Sequence, residues 1–168
     1  MTGQRTLVAG IGNIFLGDDG FGSAVARELA AYDLPDGVEI ADIGIRGVHL
    51  GYQLLDGYDT LVLVDALQRG ESPGTVTTLR THLAAHLPDD DSSAPVDPHA
   101  MGPDAVLALL ARLTASAGAA VDTVYVVGCE PASLDDGIGL SPAVEAAIPL
   151  AAAAVIGLLN AEESTCTR

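Results

Sequence analysis

The sequence contains no lysine, and its seven basic residues, all arginine, stand against 23 acidic residues, which gives a formal net charge of −16. Affinity for a nucleic-acid backbone depends on clustered lysine and arginine side chains, so this composition argues against a nucleic-acid-binding protein. An acidic surface keeps a protein soluble, and it also attracts cations or a basic partner. Composition alone favours solubility as the explanation.

Cysteine is also scarce. Cys129 and Cys166 lie far apart in the sequence, which argues against a disulfide framework and favours a reducing, cytoplasmic location. The first ten residues lack the apolar core of a signal peptide. The longest apolar run, residues 148–159, is too short to cross a bilayer, so we expect a packed helix and no membrane association.

Hydrophobic residues are plentiful, at 49% of the 168 residues. Short apolar runs that end at glycine or at a turn predict strands, and longer runs with apolar residues on one face predict helices. The predicted strands are residues 6–9, 38–43, 60–66, 75–80 and 123–128. The predicted helices are residues 20–31, 48–55, 103–115 and 142–159, and residues 88–98 form a polar loop.

This alternation predicts an α/β fold with three layers, in which a mostly parallel five-stranded sheet lies between two layers of helices. Residues 75–80 follow the preceding strand with no room for a crossover helix, so we expect one antiparallel strand at an edge. No repeat or change of composition divides the sequence. We therefore expect a single domain over residues 1–168, with its core at about 6–159 and a loose, flexible tail at 160–168.

Acidic residues follow the first and third predicted strands. Asp18 and Asp19 lie in GIGNIFLGDDGFG (10–22), and Asp65 closes TLVLVDA (60–66). In a flavodoxin-like strand order these two strands are neighbours, and ligands bind beyond their carboxyl ends. His99, in the later loop VDPHAMGP, could fold over the same crevice. Two carboxylates and an imidazole suit Zn²⁺, Ni²⁺ or a similar divalent ion, or the carboxylates could act as an acid–base pair without metal.

Each of these residues also has an ordinary interpretation. Asp18 or Asp19 could cap a helix, and His99 could be a simple loop histidine. Cys129 ends a buried strand; paired with His99 it would suggest a nucleophilic hydrolase, although a small buried apolar residue is the commoner role. A dinucleotide site is excluded, because Phe15 stands where its fingerprint needs a third glycine.

These motifs resemble those of the hydrogenase maturation proteases. The resemblance covers about residues 6–159 and is carried by four segments: GIGNIFLGDDGFG, TLVLVDAL, VDPHAMGP and VVGCEPASLDDGIGLSPAVEAAI. It implies a single α/β domain with a twisted sheet between helix layers, of the phosphorylase/hydrolase-like type. It also implies an endopeptidase that removes the C-terminal extension of a nickel–iron hydrogenase large-subunit precursor after nickel insertion.

The resemblance further implies that Asp19, Asp65 and His99 bind a divalent metal and are catalytic. That metal would be the nickel of the precursor, with no organic cofactor. The family often has Glu at the position of Asp19. The turn after the second strand is often GGT-like, whereas here it is DIGIRG (42–47), and we expect Asp42, Gly44 and Arg46 to contact the precursor's tail.

We interpret the glycines of residues 10–22 as allowing the backbone to approach that tail and a metal centre. Two rival functions stay open from sequence: a nickel-binding maturation chaperone without protease activity, and a hydrolase that depends on Cys129.

Overall fold

Five strands and four α-helices follow one another along residues 3–87 and 102–166, the part of the chain that the computed structural model describes. The strands are β1 (Thr6–Ile11), β2 (Val38–Gly44), β3 (Thr60–Ala66), β4 (Val76–His82) and β5 (Thr123–Cys129). The helices are α1 (Phe21–Leu29), α2 (Gly47–Leu54), α3 (Pro103–Ala117) and α4 (Pro142–Cys166). Two short 3-10 turns, Gly17–Gly20 and Leu83–His86, precede α1 and follow β4. The predicted polar loop and His99 lie outside the described residues.

The strands form one sheet in the order β2-β1-β3-β5-β4. Neighbouring strands are parallel except for β4 and β5, which are antiparallel. The mostly parallel sheet and its antiparallel edge strand are therefore confirmed. Strands β1 and β3 are adjacent, with Gly10 opposite Val64, so the residues that follow them meet at one edge of the sheet.

Helices cover both faces of the sheet. Helices α2 and α3 pack on one face around side chains such as Leu50, Leu61 and Leu110. Helices α1 and α4 pack on the other face around Val25 and Val155. All seven residues of β3 are buried, as expected of a central parallel strand, whereas the edge strands β2 and β4 are partly exposed. Asp65, near the end of β3, therefore lies in a fully buried part of the sheet.

Helix α1 lies close to β1 and β3 because Gly22 has no side chain. A Cβ at Gly22 would overlap the carbonyl oxygens of Ile11 and Val64. The interpretation that the glycines of residues 10–22 serve an approaching tail is therefore wrong for Gly22, which makes room for packing within the chain. This packing holds the 3-10 turn with Asp18 and Asp19 against the end of β3.

Helix α4 continues to Cys166, seven residues beyond the predicted end at Leu159. Glu162 explains part of the extension, because its carboxylate accepts hydrogen bonds from the Tyr125 hydroxyl at 2.7 Å and from the Gln4 side-chain amide at 2.9 Å. The predicted loose tail is therefore wrong as far as Cys166. Over Pro142–Glu162 this helix is long and apolar enough to cross a membrane, but a core helix has the same composition, and its inward face packs in the α1–α4 core.

Candidate active site

A glycine shapes the turn after β1 that carries the adjacent carboxylates Asp18 and Asp19. The turn that carries them begins at Gly12, whose φ of 124° favours glycine. A Cβ at Gly12 would overlap the carbonyl oxygen of Asp19 and would lie 3.2 Å from Oδ1 of Asp65. Because Gly12 has no side chain, its backbone can pack directly against Asp19 and close to Asp65.

Asp18 is buried and ties this turn to the segment before α4. Its Oδ2 accepts hydrogen bonds from the backbone N–H groups of Ala132 at 2.8 Å and Ser133 at 3.1 Å, and from the Ser141 hydroxyl at 2.9 Å. Its Oδ1 accepts from the Ser141 N–H at 2.6 Å. Burial alone would raise the pKa of Asp18, but these hydrogen bonds outweigh burial and lower it.

These contacts make Asp18 a structural residue, and sequence reasoning missed this role. Neither Asp18 nor Asp19 caps the 3-10 turn or α1, since neither element has a side-chain cap. The partners of Asp18 lie more than 110 positions along the chain, so no local pattern could have indicated them. All three partners lie in VVGCEPASLDDGIGLSPAVEAAI, one of the four segments that carry the family resemblance.

Asp19 instead lies close enough to Asp65 for its negative charge to act on that carboxyl group. Its Oδ2 accepts a hydrogen bond of 2.7 Å from the backbone N–H of Asn13, which orients the carboxylate. The side chain is half-buried, and this burial raises its pKa despite that hydrogen bond.

Asp65 is fully buried at the carboxyl end of β3. Its Oδ1 accepts a hydrogen bond of 2.8 Å from the backbone N–H of Ala66, whereas Oδ2 has no partner. Burial, and then the negative charge of Asp19, raise the pKa of Asp65 well above its usual range. Among the side chains that the structure describes, this oxygen is the one buried polar atom without a hydrogen bond.

The pair can act in two ways. Two coupled carboxylates with raised pKa values can hold and transfer a proton, or they can attract a cation that satisfies the free oxygen. Within residues 3–87 and 102–166, no group of three or more His, Cys, Asp or Glu side chains is arranged to hold a metal. The predicted third ligand, His99, lies outside these residues, so the three-residue site stays a prediction.

A pocket of about 400 Å³ opens beside this pair. It is adjacent to the pair through Gly12 and Asn13, which line it, and it contains all three residues predicted to bind the tail, Asp42, Gly44 and Arg46. The complete lining is Gly12, Asn13, Ile14, Phe15, Ser23, Arg27, Asp42, Ile43, Gly44, Ile45 and Arg46.

Hydrogen bonds fix the polar side of this pocket. The Ser23 hydroxyl donates to Oδ1 of Asp42 at 2.6 Å, and the Arg27 guanidinium lies 3.6 Å from Oδ2. Arg46 donates to the carbonyl oxygens of Asp42 at 2.7 Å and Ile43 at 3.1 Å. Sequence reasoning missed Ser23 and Arg27, although their spacing of four residues places them on one face of α1.

The environment of Cys129 opposes a nucleophilic role. The side chain is 1% exposed, and burial raises the pKa of its thiol to about 11. A reactive cysteine needs the opposite shift and an accessible sulfur.

Known proteins match this chain over nearly its whole length. The family model described as HycI, hydrogenase maturation protease, matches residues 23–158. The hydrogenase 2 maturation protease of Escherichia coli is 36% identical over 159 residues, which cover 94% of this chain and 92% of that protein. The hydrogenase expression/formation protein HupD of Rhodobacter capsulatus is 33% identical over 165 residues, covering 94% and 72%.

Solved structures agree with these matches. The hydrogenase maturating endopeptidase HybD from Escherichia coli has a TM-score of 0.77 and 32% identity, covering 95% of this chain and 94% of that one. A hydrogenase 2 maturation peptidase from a Thaumarchaeota archaeon has a TM-score of 0.68 and 33% identity, covering 93% and 98%. Fold and relatives together define a hydrolase of the protease class. The chain belongs to the hydrogenase maturation protease family, as the sequence motifs predicted.

Proposed function

We propose that this protein is an aspartic-type endopeptidase that removes the C-terminal extension of a nickel–iron hydrogenase large-subunit precursor after nickel insertion, and so activates the hydrogenase. The buried Asp65 beside Asp19 carries the proposal. A core carboxylate with an unpartnered oxygen is costly, and such groups cluster where chemistry or a cation needs them. Membership of the family supports the same reaction.

The two carboxylates differ in a way that suits acid–base chemistry. In the proposed reaction, Asp19 accepts a proton from a water molecule, whose oxygen attacks the scissile carbonyl carbon. Asp65 has the more strongly raised pKa and keeps its own proton, which it donates in a hydrogen bond to the carbonyl oxygen. The carbon–nitrogen bond then breaks, and the proton taken from water passes to the leaving nitrogen.

The nickel ion is proposed to arrive as part of the substrate. It would dock against Asp19, Asp65 and His99, and the enzyme would need no organic cofactor of its own. Carboxylate and imidazole ligands suit a divalent ion of this type. An approaching cation would offset the negative charge of Asp19 while the acid group of Asp65 keeps its proton, so only a precursor that holds nickel would bind productively.

The precursor's tail is proposed to lie in the pocket beside the pair. Asp42 and Arg46 supply charged groups there, and Gly44 leaves its backbone open to a close approach. The precursor is the partner on this view, in the cytoplasm, with no nucleic acid or membrane involved. The scarcity of cysteine supports the cytoplasmic location, and the scarcity of basic residues supports the absence of nucleic acid.

The direct test is a gel assay of precursor length. Purified protein is mixed with a large-subunit precursor encoded in the same genome, once loaded with nickel and once without it. We expect shortening of the loaded precursor only. Shortening of both would retain the protease and discard nickel as the gate, whereas nickel binding without any shortening would favour the chaperone.

Isosteric variants assign the residues. Asp19→Asn, Asp65→Asn and His99→Gln should each stop shortening of the loaded precursor. Asp33→Asn is the matched control, because this exposed carboxylate has the same charge change and lies away from the pocket. Normal cleavage by any of the three site variants would remove that residue from the proposed machinery.

A further inference from the structure

Helix α2 and the residue that follows it expose large apolar side chains on their outward side, besides the leucines that the helix buries. Val48, Tyr52 and Leu55 follow at spacings of four and three residues, and they are 49%, 63% and 42% exposed. The buried face holds Gly47 and Gly51 beside its leucines. This arrangement departs from the usual surface helix, whose outward face is polar, because large apolar residues here lie on both faces.

Glycine explains the inward face of α2 but not the outward one. A Cβ at Gly51 would overlap the Leu113 side chain, so the glycine lets α2 lie directly against α3. Nothing in this packing requires valine or tyrosine on the opposite side. Residues 47–54 also contain no Asp, Glu, Lys or Arg, in a chain where these make up 18% of residues.

This outward face is continuous with the pocket beside the acid pair. Ile45, 59% exposed, precedes the helix and lines the pocket together with Ile14 and Phe15. We call the whole surface the apolar stripe, and its members are Ile14, Phe15, Ile45, Val48, Tyr52 and Leu55. They are six of the eleven large hydrophobic residues that are exposed in the described part of the chain.

We propose that the apolar stripe is the surface on which the folded body of the large-subunit precursor docks while its tail enters the adjacent pocket. The inference rests on the proposed function and names where its protein substrate is held. Contiguous exposed apolar surface of this kind marks a binding site for a protein or a membrane. Here the stripe ends in the pocket that opens next to Asp19 and Asp65, which favours the protein that is cut there.

The composition of the stripe suits a partner protein whose contacting surface is apolar. Tyrosine and phenylalanine are enriched at interface centres, where charged side chains are depleted. A pocket that holds only a short tail offers little area, and a specific interface needs about 800 Å² on each partner. The occupant would present an apolar patch beside the start of its tail, with few acidic groups, because the net charge of −16 repels them.

Two equally exposed residues on opposite faces of the sheet provide the test. Tyr52 is 63% exposed on α2, and Leu150 is 61% exposed on α4. Binding of the nickel-loaded precursor to wild type, Tyr52→Gln and Leu150→Gln is measured by interferometry, and cleavage is followed in the same samples. We expect Tyr52→Gln to weaken binding about tenfold and to raise KM with kcat unchanged, and Leu150→Gln to stay within about twofold of wild type.

Other results would overturn the proposal. If Tyr52→Gln and Leu150→Gln both bind and cleave the precursor as well as wild type does, the stripe is not the docking surface, and the proposed function is unaffected. A wild-type dimer that Tyr52→Gln dissociates would assign the stripe to a second copy of this chain. If the wild type binds the precursor without ever cleaving it, and Tyr52→Gln binds more weakly, docking on the stripe would be supported and the proposed protease function would be contradicted. Val48→Gln is a second variant of the stripe, and its unfolding temperature is compared with that of wild type. Weaker binding by a Val48→Gln protein that unfolds at the normal temperature would show that the loss at Tyr52 is not a folding defect.

Discussion

Asp18 and Asp65 are the same kind of side chain with the same burial, and they stand in opposite states. Asp18 is 1% exposed and accepts four hydrogen bonds, and its pKa is lowered. Asp65 is 0% exposed and accepts one, and its pKa is raised. Burial therefore does not decide what a carboxylate is for. The number of donors around each carboxylate separates the acid that stabilises the fold from the acid that we propose to be catalytic.

The largest expected effect is on activity at Asp65. Asp65→Asn should slow precursor cleavage at least about a hundredfold, because an amide cannot take the acid's part in proton transfer. The same change should raise the free energy of unfolding at neutral pH by about 1–2 kcal/mol, because the unfolded chain then loses the favourable ionisation that burial and the charge of Asp19 oppose in the folded chain. The gel assay and urea unfolding measure the two effects.

A loss of stability in Asp65→Asn would contradict the comparison, because it would make Asp65 a second structural acid. Asp33→Asn controls for the change in net charge.

The next largest effect is on stability at Asp18. Asp18→Asn should lower the free energy of unfolding by about 2–4 kcal/mol, because the amide nitrogen would face N–H donors of Ala132, Ser133 or Ser141. Urea unfolding beside wild type measures the loss. A variant as stable as wild type would show that the ties between the turn and the segment before α4 do not depend on the charge of Asp18.

The topology behind this comparison was predictable, and the contacts were not. Apolar runs such as residues 60–66 and the lack of a crossover before β4 are local signals, so the mostly parallel sheet and its antiparallel edge strand followed from them. The meeting of the β1 and β3 ends followed only once a flavodoxin-like strand order was assumed. The role of Asp18 and the true end of α4 depend on residues far away in the sequence, Ser141 and Tyr125 among them. Local propensity carries no information about such partners.

The smallest expected effect is the pH dependence of stability without bound metal. Above the ordinary Asp pKa of 3.8, the unfolded chain releases the Asp65 proton that the folded chain keeps, so stability should fall as pH rises towards the raised folded pKa. Asp18 acts in the other direction, since its lowered pKa gives stability that is lost as pH falls below 3.8. Urea unfolding between about pH 3 and pH 8 measures both slopes.

The two variants separate these slopes. Asp65→Asn should reduce the decline above pH 3.8, leaving the part that the raised pKa of Asp19 contributes, and should not change the loss of stability below pH 3.8. Asp18→Asn should reduce the loss below pH 3.8 and leave the decline above it unchanged. If stability above pH 3.8 falls as steeply in Asp65→Asn as in wild type, the decline belongs to another group.

The tie between Asp18 and the start of α4 also sets when the site can exist during synthesis. The turn with Asp19 is made early, but its anchor comes from Ala132, Ser133 and Ser141, which leave the ribosome much later. A nascent chain that stops before this segment has its acidic residues without the anchor that positions them. We therefore expect the acid pair to reach its folded position only after the segment before α4 has been synthesised, because Asp18 has none of its donors until then.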